Sequence, residues 1–248
     1  MKPFSTLGVI LARAGSKGLA NKHLRPLLGR PLISYTFEHV KRSRSLTRVV
    51  VSTDCPQIKQ LAREAGLTTI QRPADLAGDD ASVQDALLHA LDEVERRGSF
   101  RADAIASLYG NVPVRPTDVT DRCVEMLRGT DCCSIRTFQP VGKWHPTWMA
   151  RLADDGKVEA CVPGSIHRRQ ELEPLFLHDG GGLVMSRQSL ELGRERRDDP
   201  HAMFGNDRRG ITVPSGDVVE VDVDRDLALA EAILRQQGFG QPAVRLAA

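Results

Sequence analysis

The sequence predicts an α/β fold: a doubly wound, mainly parallel sheet that carries one inserted, hairpin-rich flap. Three observations point there. The apolar runs at 7–11 and at 48–54 (RVVVSTD) are too unbroken for one-sided strands and read as strands buried on both faces. Helical periodicity alternates with them, which is the βαβα pattern of a sheet wound by helices on both sides, with its ligand beyond the strands' carboxyl ends. The alternation then stops between Gln139 and His178, where no long amphipathic helix appears.

The strand at 7–11 leads into ARAGSKGLANKHLRPL at 12–27. Residues 30–42 read as a helix with Pro31 in its first turn, where a missing N–H is harmless, and with Leu32, Ile33 and Phe37 on the core side. After the second strand, a helix at 57–65 ends at Gly66, and 67–71 is a short third strand. The clearest helix follows: Val83, Ala86, Leu87, Ala90, Leu91 and Val94 fall at i, i+3, i+4, i+7, i+8 and i+11. Ser82 is placed to cap it, with Asp85 in the first turn. A central strand at 102–108 leads to YGNVPVRP. Thr117 is expected to cap a helix at 118–127, and 134–138 is a further strand.

In the insertion, Asp154 to Gly156 separates two short segments as a hairpin turn would. Both tryptophans, Trp144 and Trp148, fall in it, which suits either a satellite core or a subunit contact. Strands are expected again at 182–186 and 217–223 (DVVEVDV), and a helix at 225–237 is expected to cover one sheet face. The expected division is 1–138 with 179–238 as the α/β domain, 139–178 as the insertion and 239–248 as a frayed tail.

Composition narrows the function. The 248 residues carry a net charge of only +2, which disfavours nucleic acid as a partner. No run of eighteen apolar residues and no signal-peptide pattern occur, so a cytoplasmic protein without membrane attachment is expected. The five cysteines are odd in number and form no C-x-x-C, so they read as small buried hydrophobes.

Locally the charge is far from balanced. Lys2, Arg13, Lys17, Lys22, Arg25 and Arg30 precede the first carboxylate, Glu38. A cationic turn with Gly15 and Gly18 after a buried strand suits phosphate, although a glycine pair alone only permits a turn. Neither G-x-x-x-x-G-K-[ST] nor G-x-G-x-x-G is present. At the other end, Asp222 and Asp224 are one residue apart; on a strand they would share a face while Val221 and Val223 point inward. Two bare carboxylates ~6 Å apart repel by roughly 3 kcal/mol at an effective dielectric of ~20. A divalent metal would relieve that; alternatively, one acid caps the next helix and the other is solvated. Arg72 and Ser82 flank an acidic turn and suit either a base or a loop pin. Lys143, His145 and the Arg168–Arg169–Gln170 donors suit a carboxylate or sugar hydroxyls, or a solvated surface.

Taken in order, ARAGSKGLANKHLRPLLGRPLI, VVVSTD, RPADLAGDDASVQDAL, the P-V-R-P segment, RRQELEP and EVDVDRDLALAE resemble the acylneuraminate cytidylyltransferases across nearly the whole chain. The resemblance implies a Rossmann-like nucleotidyltransferase fold whose insertion is a dimerisation flap. It also implies an enzyme that joins an α-keto acid sugar to CMP, from CTP, with Mg²⁺ or Mn²⁺, as a homodimer. Carried over, the nucleotide side comprises Ala12, Arg13, Gly15, Ser16, Lys17, Lys22, His23, Arg72 and Ser82. The sugar side comprises Asn111, Lys143, Arg168 and Gln170, some acting across a dimer. Asp222 and Asp224 become the metal pair, and Arg13 and Lys22 join them as catalytic residues.

Two departures stand out. The family's usual Asn is His23 here, and its L-Q-P-T-S-P-L-R reads Leu108, Tyr109, Gly110, Asn111, Val112, Pro113, Val114, Arg115. Base choice therefore stays open between CTP and GTP, and sugar choice extends to legionaminate or pseudaminate types. A catalytically inactive nucleotide-binding regulator and a sugar-1-phosphate transferase are the readings from other classes.

Overall fold

The run Thr6–Leu11 is buried at every position and forms β1, an interior strand of the sheet. The computed structural model describes residues 3–15, 18–78, 81–164 and 168–240. The other sheet strands are β4 (Arg48–Thr53), β5 (Thr68–Gln71), β6 (Ala104–Tyr109), β7 (Ser134–Pro140), β10 (Phe176–Ser186) and β11 (Arg208–Thr212). Two small hairpins supply β2 (Pro26–Leu27) with β3 (Arg30–Pro31), and β8 (Ala150–Leu152) with β9 (Val158–Ala160). The seven-stranded order is β11-β7-β10-β6-β1-β4-β5. Only β10 runs against its neighbours, so the mainly parallel sheet is borne out.

Side-chain alternation explains the winding. Leu7, Val9 and Leu11 enter one core with Ile105 and Met185, while Ile10 enters the opposite core with Ala104 and Val184. The first core is closed by α3 (Val83–Arg96) and α5 (Arg187–Glu195); the second by α1 (Ile33–Arg42), α2 (Pro56–Glu64) and α4 (Val119–Thr130). Leu87 and Leu91 are fully buried as their spacing requires, each contributing ~1.5–3 kcal/mol. The chain goes from β1 outward through β4 and β5, then returns to β6 on the far side of β1. The switch point therefore lies between the carboxyl ends of β1 and β6.

Several expectations fail for identifiable reasons. Arg30 and Pro31 pair with β2, so α1 starts at Ile33 rather than Arg30. The N-cap position of α4 is Asp118, and no side chain caps it, so Thr117 does not serve. Residues 217–223 are not a strand and hold only one bridge, Val114 to Val219. Val221 is buried but Val223 is 46% exposed, so the pleat predicted for this stretch is absent. The edge of the sheet is instead β11, parallel to β7. The helix α6 (Asp224–Gln236) does not cover the sheet; its Ala230 and Leu234 meet Leu27, Leu32 and Tyr35 behind the loop that follows β1. The tail begins ordered, because Phe239 packs 5.8 Å from the Tyr35 ring; 241–248 lie outside the described residues.

The insertion contains the expected hairpin, β8 with β9, and β7 and β10 stay paired as far as Pro140 and Phe176. Trp144, Leu152, Val158, Phe176 and Leu177 are all exposed there. All five cysteines are free. No helix among the described residues is long and apolar enough to cross a membrane.

Candidate functional site

The loop after β1 is pinned from behind. The Ala12 N–H donates to the Ser52 carbonyl at 3.2 Å, and the Ala14 N–H to Asp54 Oδ1 at 2.8 Å. Ser16 and Lys17 lie outside the described residues. Gly15 has open space around it, whereas a Cβ on Gly18 would stand 2.8 Å from the Asp222 carbonyl oxygen. Gly18 is thus where the loop lets the distant 220s segment approach its backbone. Asn21 then takes a left-handed conformation, φ 52°, and opens the short 3₁₀ turn Lys22–Leu24.

That approach creates the site. Lys22 Nζ donates to Asp222 Oδ1 at 2.8 Å, across 200 positions of sequence. A cavity of about 350 Å³ opens here, at the β1/β6 switch point. Its wall includes Arg13, Gly18, Lys22, His23, Arg72, Ser82, Tyr109, Asn111, Glu220 and Asp222. Seven of the sequence candidates therefore converge: Arg13, Lys22, His23, Arg72, Ser82, Asn111 and Asp222. Ala12 lies buried just beneath them.

Each wall residue has a structural reason. Arg13 donates to the Ala77 carbonyl at 3.3 Å. Arg72 donates through Nε and a terminal nitrogen to Ser52, at 3.1 and 2.9 Å. Burial pushes its pKa down to about 10, with Asp54 pulling it back up and the Arg13 charge adding to the decrease; it remains a cation at neutral pH. Ser82 caps α3, accepting from the Asp85 N–H at 3.0 Å. Arg72 and Ser82 each pin their own segment, and both also face the cavity.

His23 is buried, and burial first, then the Lys22 charge, lowers its pKa to about 4, against a hydrogen bond with the Arg13 backbone. The imidazole is neutral at physiological pH. Its ring occupies the space that a side chain on Gly110 would need: a Cβ there would sit 2.9 Å from His23 Cδ2. His23 and Gly110, one residue from each departure, therefore share a packing contact.

Asn111 ties the far end of the chain to β6. Its Nδ2 lies 3.2 Å from Glu220 Oε1, 3.2 Å from the Val221 carbonyl and 3.3 Å from Asp222 Oδ1. Burial, then repulsion from Asp222, raises the pKa of Glu220. Sequence reasoning passed over Glu220, although E-V-D places it in step with Asp222. It also passed over Arg115, whose buried guanidinium binds the Tyr109 and Val112 carbonyls at 2.9 and 2.6 Å and so shapes the turn carrying Gly110 and Asn111.

The remaining candidates stand apart. Asp224 is not on the cavity wall; it is the first residue of α6 and pairs with Arg25 at 2.8 Å. Neither Asp222 nor Asp224 caps that helix. Asp226 does, accepting from the Asp222 and Val223 N–H groups at 3.0 Å each. Lys143 lies over the Trp144 ring at 4.8 Å, Arg168 is 3.8 Å from Glu171, and Gln170 faces a separate cavity in the insertion. None of the three lines the nucleotide-sized cavity.

The family model described as Cytidylyltransferase matches residues 7–145, more than half of the chain. The chain belongs to this cytidylyltransferase family. Among curated relatives, the N-acylneuraminate cytidylyltransferase of Streptococcus agalactiae serotype V is 28% identical over 192 residues, covering 76% of this chain and 44% of that protein. The CMP-N,N'-diacetyllegionaminic acid synthase of Legionella pneumophila is 31% identical over 153 residues, covering 61% of this chain and 65% of the relative. The chain thus spans less than half the length of the N-acylneuraminate enzymes it matches first. A solved CMP-2-keto-3-deoxy-manno-octonic acid synthetase, complexed with CTP, superimposes with a TM-score of 0.70 at 20% identity, covering 94% of this chain and 99% of that one. That agreement shows the fold, which is the Rossmann-like nucleotidyltransferase type anticipated from the resemblance.

Proposed function

We propose that this chain is a nucleotidyltransferase that activates a nonulosonic, sialic-acid-like sugar, converting CTP and an acylneuraminate to the CMP-sugar and pyrophosphate. One observation carries the reading: Arg13, Lys22 and Arg72 from the first part of the chain and Asp222 from its end line one cavity at the sheet's switch point. The names of the relatives support the sugar class and the base. A legionaminate-type acceptor, or GTP in place of CTP, is the second reading, favoured by Tyr109, Gly110 and Val112 where the family has other residues.

In this reaction the sugar's anomeric oxygen forms a bond to the α-phosphorus while the bond to the β-phosphate oxygen breaks. Pyrophosphate leaves with the electron pair, and the hydroxyl proton is released. Charge builds on phosphate oxygens, and the fixed cations Arg13, Lys22 and Arg72 oppose it without reorganising. Asp222 fits a role in holding Mg²⁺ or Mn²⁺, since it lines the cavity beside a second acid, Glu220, and the two repel. Asp224 would have to leave Arg25 to join it. A bound divalent ion would supply charge neutralisation at the phosphates.

The homodimer belongs to the same proposal. The exposed Trp144, Leu152, Val158, Phe176 and Leu177 form the apolar surface expected of a subunit contact. Lys143, Arg168 and Gln170 would then meet the sugar of the partner subunit's site. Light scattering at micromolar concentration is expected to give twice the chain mass, and a monomer would refute this arrangement. The transferase reading is tested by pyrophosphate release with CTP and GTP against N-acetylneuraminate, legionaminate and pseudaminate. Release is expected with one base and at least one sugar; silence across the panel sinks it.

A further inference from the structure

Beside the nucleotide cavity lies a larger one, of about 620 Å³, within the ~300–1,000 Å³ span of small-molecule sites. The two share Ser82, Val83 and Tyr109 as a common wall. The nucleotide cavity mixes cations with Glu220 and Asp222, whereas the larger one is lined by Arg136, Arg208, Arg209, His178 and His201 and by no Asp or Glu among the described residues. Such a set of donors without an acid is built for an anion.

Of the three guanidinium groups, Arg209 is spent, since Asp207 holds it at 2.8 Å. Arg208 gives its Nε to the Gly205 carbonyl at 2.7 Å, which leaves its terminal nitrogens. Arg136 is half-buried on β7, and its guanidinium makes no hydrogen bond or ion pair among the described residues. Asp179, the nearby acid, gives Oδ1 to the Thr137 hydroxyl and the Gly181 N–H and does not line the cavity. Arg136 and Arg208 lie over the same ring, Phe204, at 4.9 and 5.6 Å from its centroid. His201 stacks on that ring at 5.5 Å, and the Ser134 hydroxyl fixes the Phe204 carbonyl at 2.8 Å. Two cations are thereby held over one ring; Asp179 sits near enough to Arg136 to act on its charge but makes no ion pair with it among the described residues.

We propose that this cavity receives the acceptor sugar and that Arg136 and Arg208 of the same protomer grip its carboxylate. The assignment rests on the transferase reading above and gives the carboxylate to the α/β domain, which leaves the insertion's donors for the sugar's other polar groups. It also accounts for the shared wall. Tyr109, whose half-buried phenol stays protonated, stands between the two cavities, so a sugar held by Arg136 lies next to the nucleotide.

The probe is N-acetylneuraminate and its carboxyl methyl ester. Equilibrium binding to the wild-type protein by calorimetry is expected to favour the acid over the ester at least tenfold. Equal affinity, or binding of neither, overturns the carboxylate site whether or not any turnover is detected. In steady state with CTP, Arg136→Gln is expected to raise the sugar's KM at least tenfold and leave the KM for CTP unchanged, with Arg136→Lys recovering part of the loss. An unchanged sugar KM overturns the role of Arg136. Failure of the wild type to release pyrophosphate, with acid-over-ester preference intact, would instead remove the transferase reading and keep the site.

Discussion

Replacing Asp222 by Asn is expected to lower pyrophosphate release on the order of 10²–10³-fold, the size of effect seen when one preorganised electrostatic group is removed from an active site. Asn cannot carry the charge that Lys22 meets at 2.8 Å, nor serve as an anionic metal ligand. Stability should barely change, because the side chain is 59% exposed and such surface sites usually stay within ~0.5 kcal/mol. Asp224→Asn is expected to cost far less, since Asp224 pairs with Arg25 outside the cavity. Turnover and thermal melting of both variants decide the matter. Equal, large losses would mean that the two acids act as one metal pair after all, and unchanged turnover in Asp222→Asn would remove the site assignment.

The second large effect is on stability against acid. His23 and His39 are both buried, and burial, aided by the Lys22 charge at the first and the Arg115 charge at the second, lowers their pKa values to about 4 and about 3. The native protein keeps them neutral, whereas the unfolded chain protonates them below about 6.5. The unfolded state therefore binds more protons as pH falls through this window, and stability declines. At ~1.4 kcal/mol for each pKa unit, each histidine costs roughly 3 kcal/mol or more once the pH is near its native value. Glu220, with its raised pKa, works the other way: its protonation favours the native state as pH falls, and it offsets part of the loss. Asp121, held down against burial by Ser43, Arg44 and Ser45, contributes only at lower pH. The urea midpoint should drop clearly between pH 7 and pH 4.5. His39→Gln, which can keep a bond to the Thr120 hydroxyl now 2.8 Å away, should flatten that slope. A midpoint that does not move with pH would contradict this account.

What could be read in advance follows a physical divide. Thr6–Leu11, Arg48–Thr53 and the apolar face of Val83–Arg96 are legible because burial on a sheet or helix imposes a period on the residues themselves. Arg208–Thr212 was missed because an edge strand with polar faces carries no such period. Residues 217–223 misled for the opposite reason: V-E-V-D-V alternates, yet the chain is bending toward the Val223 N-cap. Of the site, the cationic loop and the late acids were visible as motifs, but the contact of Lys22 with Asp222 is set by topology. Arg136 is a lone charge in SIRTFQP and acquires meaning only when Phe204 and Arg208 arrive from far along the chain.

The contact between Gly110 and His23 also constrains the routes by which such a site can change. A residue with a Cβ at 110 collides with the imidazole at 2.9 Å, so position 23 has to shrink before position 110 can grow. The reverse order forces the His23 ring or the turn between Tyr109 and Asn111 to shift. Engineered libraries that vary both positions thus have a preferred sequence of steps. Swapping only one of the two positions would test a lineage's least accessible intermediate rather than either endpoint.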